Sequence, residues 1–210
     1  AWSGGLRMPP QAPPSPAPPW PDSWPVLAAA QLNRLCLYLS PVALAVVLGY
    51  SYAKRFTVAA HLVLGLSLAI APVGAWVAVT GAFALPPVLL GLAVVFWVAG
   101  FDVMYSLQDE EFDRREGLRS IPARFGAPRA LQVARLFHGA TLVLFYAVFL
   151  AVDGGWLFGA AVVVAGVFLV RQHRLVSPTD LTRVDAAFFT ANGWLSVAFL
   201  LLGAADVLLR

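Results

Sequence analysis

The sequence predicts an all-α protein, a multi-spanning transmembrane helix bundle. Hydrophobic residues make up 60% of its 210 positions, against about 45–50% in an ordinary soluble domain. The mean hydropathy is +0.78. Six apolar segments lie near the length that crosses a bilayer, about 20 residues with a range of about 17–25, and polar stretches separate them. Helices are the expected form, because open strands would leave backbone N–H and C=O groups unsatisfied in lipid.

The segments, in order, are residues 35–52, 60–80, 85–101, 133–152, 155–170 and 188–209. Pro41 is expected to break the first, since proline lacks the donor an inner helical turn needs. Pro72 and Gly74 are expected to interrupt the second. The fifth is short, and the flanking Val152 and Asp153 are expected to extend it. Gly65, Gly91, Gly100, Gly159 and Gly166 permit close helix contact.

Charge sets the orientation. Lys54 and Arg55 follow the first segment. Arg114, Arg115, Arg119, Arg124 and Arg129 fall between the third and fourth, with Arg135 at the start of the fourth, and Arg171, Arg174 and Arg183 fall between the fifth and sixth. The alternate loops, 81–84 and 153–154, contain no Lys or Arg. The positive-inside rule therefore places the three basic loops in the cytoplasm of a multi-pass protein of the cell inner membrane. Topology accounts for the net charge of +3, so no nucleic-acid partner is predicted. Cys36 is the only cysteine, which excludes an internal disulfide and a cysteine metal site. His61, His138 and His173 are too scattered to suggest a metal cluster.

Residues 1–30 differ from the rest. Nine prolines crowd the first 25 positions, a composition that reads as extended or disordered chain. The chain opens on Ala1, without the charged start and apolar core of a signal peptide. A fragment or an aberrant N-terminus is expected, followed by one membrane domain over residues 31–210.

The segment from Asp102 to Gly126 is the chemical centre. It holds Asp102, Asp109, Glu110, Glu111, Asp113 and Glu116, six of the eleven acids in the chain. On one continuous helix Asp109 and Asp113 lie a turn apart, with Asp102 two turns earlier on the same stripe. Like charges so placed repel by about 0.2–0.5 kcal/mol, and a divalent cation is the simplest offset. The competing reading is a solvated charged loop.

The larger string is D-x-x-Y-x-x-x-D-x-x-x-D-x-x-x-G-x-x-S, formed by Asp102, Tyr105, Asp109, Asp113, Gly117 and Ser120 and followed by Ile121-Pro122 and Phe125-Gly126. It resembles the second aspartate-rich motif of the UbiA-type membrane prenyltransferases, closest to their 4-hydroxybenzoate polyprenyltransferase branch. Tyr50 and Lys54 form Y-x-x-x-K, a motif that family carries between its fourth and fifth helices. His61, Gly65 and the run Ala71 to Trp76 are also similar. The resemblance runs from about Gln31 to Arg210. It implies about six of the family's nine helices, the fourth to the ninth. The family's first aspartate motif, N-D-x-x-D-x-x-x-D, has no counterpart here, since Asp22 is the only acid before Asp102.

The resemblance implies a Mg2+-dependent aromatic prenyltransferase acting on a prenyl diphosphate and an aromatic acid at the lipid bilayer, with 4-hydroxybenzoate as acceptor and a quinone precursor as product. Asp109 and Asp113 become metal ligands, with carboxylate oxygens suited to magnesium. Lys54 and Arg119 become diphosphate contacts, and both also read as topological charges. Asp102 becomes a catalytic acid that holds the acceptor or joins the metal shell, against plain helix-end solvation. Tyr50 becomes a catalytic residue whose ring steadies the allylic cation or whose hydroxyl meets the diphosphate. The alternative is an interfacial belt tyrosine. Trp76, Phe96 and Trp97 could line a tunnel around the prenyl chain, but ordinary core or lipid-facing positions are the favoured reading. Competing readings are a catalytically inactive truncated fragment, and a prenyltransferase for a menaquinone-pathway, chlorin or haem acceptor. A transporter is disfavoured, because its ionisable groups belong near the midplane.

Overall fold

The six apolar segments fold as six helices long and apolar enough to cross a membrane in the computed structural model, which describes residues 24–210. The helices are α1 (Trp24–Leu32), α2 (Arg34–Phe56), α3 (Ala60–Thr80), α4 (Leu85–Tyr105), the short α5 (Glu110–Arg115) and α6 (Ile121–Phe125), α7 (Ala127–Ala151), α8 (Trp156–Leu175) and α9 (Asn192–Leu209). A π-turn, Ala186–Ala191, leads into α9. The protein is an integral membrane protein of the all-α class.

Residues 1–23, which hold most of the proline-rich stretch and Asp22, lie outside the described residues. Residues 24–30, expected to be part of a disordered tail, instead form most of α1. Pro25 sits in its first turn, where a missing N–H costs nothing. Asn33 then starts α2. Its Oδ1 accepts the Cys36 N–H at 2.9 Å, and its Nδ2 donates to the Val77 carbonyl at 2.8 Å. One side chain thus caps α2 and ties it to the end of α3.

Pro41 does not break α2. The carbonyl it leaves without an N–H partner belongs to Leu37, and the Ser40 hydroxyl donates to that oxygen at 2.9 Å. α3 likewise runs unbroken through Pro72 and Gly74. The marginal fifth segment reaches Leu175, because Arg171 and Arg174 stay exposed at its charged end.

α4 is the most buried of the spanning helices and packs against α3 on one side and α7 on the other. Small residues set these approaches. A Cβ on Gly65 would overlap the Val95 carbonyl, and a Cβ on Gly100 would overlap the His138 ring. Two apolar clusters fill the interior. One sits near the basic loops around Val103, Leu131, Ala134 and Val184. The other lies deeper around Phe145, Leu169 and Leu195. At the opposite end Asp206, 2% exposed, accepts N–H groups from Gly155 (3.0 Å) and Phe158 (3.2 Å) and so caps α8 from α9. Arg210 pairs with it at 2.9 Å.

Gly65→Ala should lower stability in detergent by about 1–3 kcal/mol, because the new methyl meets backbone. Gly49→Ala, where a Cβ meets nothing within 4 Å, should not. Thermal denaturation of the two purified variants checks this.

Candidate active site

All the charged motif residues gather at the end of the bundle that carries the basic loops. α2 brings Tyr50 and Lys54, one turn apart and so on one face. Its last carbonyls have no partner inside the helix. Arg119 meets two of them: its backbone N–H donates to the Lys54 carbonyl at 2.6 Å, and its Nη1 donates to the Phe56 carbonyl at 2.8 Å. A cation at a helix C-terminus also complements the macrodipole.

The chain reaches Arg119 by a tight return. α5 ends at Arg115, the Leu118 N–H donates to the Asp113 carbonyl at 2.8 Å, and Gly117 turns with φ at 69°. That left-handed value suits glycine. Ser120, fully buried, caps α6 by accepting the Ala123 N–H at 3.3 Å. Fixing residues 117–121 also fixes the short acidic helix before them.

Asp113 is 2% exposed, and its Oδ2 lies 3.4 Å from the Lys54 ammonium. Sequence reasoning assigned the offset of the acidic repulsion to a cation, and for Asp113 Lys54 already supplies part of it. Asp109 lies one turn earlier, its carbonyl accepting the Asp113 N–H at 2.7 Å, and its side chain is exposed. The continuous acidic stripe is not formed. α4 stops at Tyr105, residues 106–109 turn, and Asp102 therefore sits on a different helix from Asp113. Ser106 ends the helix, its hydroxyl donating to the Val103 carbonyl at 3.0 Å.

Asp102 instead meets His61. The His61 Nδ1 lies 2.6 Å from Asp102 Oδ2, and the Ile121 N–H donates to His61 Nε2 at 3.3 Å. His61 is wholly buried, while the Asp102 side chain keeps 19% of its surface exposed. Tyr50 is exposed on α2, one turn deeper than Lys54. The fold thus brings together Lys54, Asp113 and Arg119, with Asp102 on the adjoining wall through His61.

Below the charged mouth lies a cavity of about 700 Å³ between α3, α4 and the π-turn. Trp97, Phe101, Phe188 and Phe189 wall it, and Phe101, Phe188 and Tyr105 form a run of edge-on and tilted rings. Helical rise puts Leu68 and Trp97 about 7–10 Å deeper than His61 and Asp102. Of the three proposed tunnel aromatics, Trp97 lines this space, Phe96 packs on Phe137, and Trp76 stays outside it, exposed on α3.

Sequence reading missed a buried polar thread. The Trp97 indole N–H donates to Asn192 Oδ1 at 3.1 Å, and Gln172 Nε2 donates to the same oxygen at 2.8 Å and to the Ala187 carbonyl at 2.6 Å. His138 and His173, far apart in sequence, meet with Nδ1 and Nε2 at 2.9 Å. Amides and imidazoles inside apolar helices were the available signal.

Among the described residues no three His, Cys, Asp or Glu side chains converge as a metal cluster. The hard oxygens of Asp109 and Asp113 still suit magnesium, which commonly binds one or two carboxylates together with phosphate oxygens and water.

The model of the UbiA prenyltransferase family matches residues 24–201. The chain belongs to the UbiA prenyltransferase family. It is similar to the 4-hydroxybenzoate octaprenyltransferase of Francisella tularensis subsp. tularensis (strain WY96-3418), at 27% identity over 85% of this chain and 61% of that protein. The 4-hydroxybenzoate solanesyltransferase of Synechocystis sp. is 31% identical over 83% of this chain and 61% of its own length. Among solved structures, the apo structure of a UbiA homolog from Aeropyrum pernix K1 superposes with a TM-score of 0.74 at 34% identity, covering 88% of this chain and 67% of that one. The chain spans about three-fifths of the length of these curated relatives.

The Lys54–Asp113 contact predicts a specific stability pattern. Lys54→Met should cost about 1–3 kcal/mol by leaving a buried carboxylate without its charged partner. Adding Asp113→Asn should recover part of that loss, as read by thermal unfolding of the single and double variants.

Proposed function

We propose that the protein transfers a polyprenyl group from a prenyl diphosphate to an aromatic acceptor, 4-hydroxybenzoate, to make a quinone precursor, with residues 31–210 as the transferase domain. The observation that carries this reading is a charged mouth set over an aromatic-walled cavity. An amphiphile with an anionic head and a hydrocarbon tail matches both parts, and the names of the similar proteins fit the same chemistry. The basic loops would face the cytoplasm of the inner membrane.

Lys54 and Arg119 bind the diphosphate, Lys54 as a point charge and Arg119 through guanidinium N–H groups beyond the one held by Phe56. Asp109 and Asp113 would hold Mg2+, which would supply charge neutralisation for the leaving diphosphate. The bond between the prenyl C1 and the diphosphate oxygen breaks, and its electron pair leaves with the diphosphate. The Tyr50 ring face steadies the allylic cation. Asp102 holds the acceptor by accepting a hydrogen bond from its ring hydroxyl. The ring carbon beside that hydroxyl attacks C1 and then loses its proton to the released diphosphate.

A second reading, prenyl diphosphate binding without transfer, is favoured by the single carboxylate pair among the described residues. Transfer of labelled prenyl groups to 4-hydroxybenzoate in membranes separates the two. Transfer should require magnesium, stop with chelator, and fall by about 10²–10³-fold in Asp109→Asn and Asp113→Asn, the scale of losing one charge-stabilising group. Undiminished transfer by both variants would refute the metal assignment. Diphosphate binding without transfer would establish the second reading.

A further inference from the structure

We infer that His61 is a positioning residue for Asp102, one that fixes which carboxylate oxygen faces the acceptor. The inference rests on the prenyl-transfer reading and adds a residue to it. His61 has no exposed surface, so both ring nitrogens must find partners inside the protein. The Ile121 backbone N–H points at Nε2 from 3.3 Å. A backbone N–H only donates, so Nε2 carries the lone pair and the ring proton sits on Nδ1. A doubly protonated ring would set two donors against each other at Nε2.

Nδ1–H therefore donates to Asp102 Oδ2 at 2.6 Å. Oδ2 is committed to that bond, and the carboxylate plane is held by it. Oδ1 is the oxygen left for the partly exposed face of Asp102. The ring is itself anchored from two directions. It stands in the first turn of α3, and it is gripped by Ile121 at the start of α6, just after the residues that bind the end of α2. The peptide that brings Arg119 to Lys54 thus also sets the His61 tautomer and the orientation of Asp102.

The other two histidines provide an internal contrast. His138 Nε2 faces the Trp97 carbonyl at 3.3 Å, so it carries the proton, and His138 Nδ1 accepts from His173 Nε2. Of the three histidines, only His61 should be protonated at Nδ1.

Two measurements test the inference. In labelled prenyl transfer, His61→Leu should lower kcat about 10- to 100-fold, the worth of one hydrogen bond to a charged group, and leave KM for prenyl diphosphate unchanged. His61→Gln, with an amide N–H for Asp102 and a carbonyl for Ile121, should restore most of kcat. In an Asp102→Asn background His61→Leu should add no further loss. An equal loss in both backgrounds would mean that His61 only supports the fold and would overturn the inference. Nitrogen-15 NMR of histidine-labelled protein reads the tautomers without turnover. A His61 ring protonated at Nε2 overturns the inference in active and inactive protein alike. An Nδ1–H ring in a protein that transfers nothing sinks the reaction, and the positioning role with it, while the hydrogen bond stands.

Discussion

Two carbonyls at the end of α2, those of Lys54 and Phe56, are the constraint on which the site depends. The last carbonyls of a helix have no partner inside it, so another group must meet them. Arg119 meets both, once through its backbone and once through its side chain. That double anchor places the following peptide against α3, where the Ile121 N–H reaches His61. It also places the preceding turn, with Gly117, so that α5 presents Asp113 to Lys54. The charged site is therefore assembled by ordinary helix-end chemistry. Arg119 works first as a cap and only then as a source of free N–H donors, which is why it serves two purposes where a lysine would serve one.

The rest of the bundle follows from a division between the mouth and the interior. Charges collect where helices end, and deeper among the described helices Gln172 bonds to Asn192 and to backbone, and His138 to backbone. The aromatic rings sit between these layers. Phe101 neighbours Asp102 in sequence and walls the cavity in space, so one helical step separates a carboxylate from a hydrocarbon surface. A molecule spanning that step must change character over the same distance. A metal ion or a small hydrophilic solute has no use for the cavity, and a plain lipid tail has no use for the mouth.

Much of this arrangement was legible in the sequence, and the failures are instructive. The six spans were visible from hydropathy alone, because lipid leaves few alternatives to an apolar helix. The meeting of Tyr50, Lys54 and the acidic segment at one end followed from charge counting and from the motif. The pairing of His61 with Asp102 was also within reach: α3 and α4 form a hairpin with a four-residue connection, so the first turn of one must lie beside the last turn of the other. Other features depended on side-chain detail that no periodicity carries. Pro41 sits inside an unbroken helix because Ser40 happens to precede it and takes the freed Leu37 carbonyl. The acidic stripe from Asp102 to Asp113 fails because Ser106 ends α4 and a turn intervenes, which the spacing of charges alone did not reveal. α1 begins within the stretch read as tail because proline is harmless in a first turn.

The break between α4 and α5 changes what the acids can do. On one continuous helix Asp102, Asp109 and Asp113 would share a face and a single electrostatic environment, and a cation would be the common answer to their repulsion. Separated by the turn, they acquire different neighbours. Asp113 is buried against an ammonium, a partner that any incoming cation must displace or share with a bound anion. Asp102 is held by a ring that the Ile121 N–H keeps neutral, and a neutral donor orients a carboxylate without cancelling its charge. Asp109 stays exposed at the start of α5, without the buried partner that Asp113 has. Identical side chains thus take on different chemistry because the backbone turns between them, from the point where Ser106 ends α4.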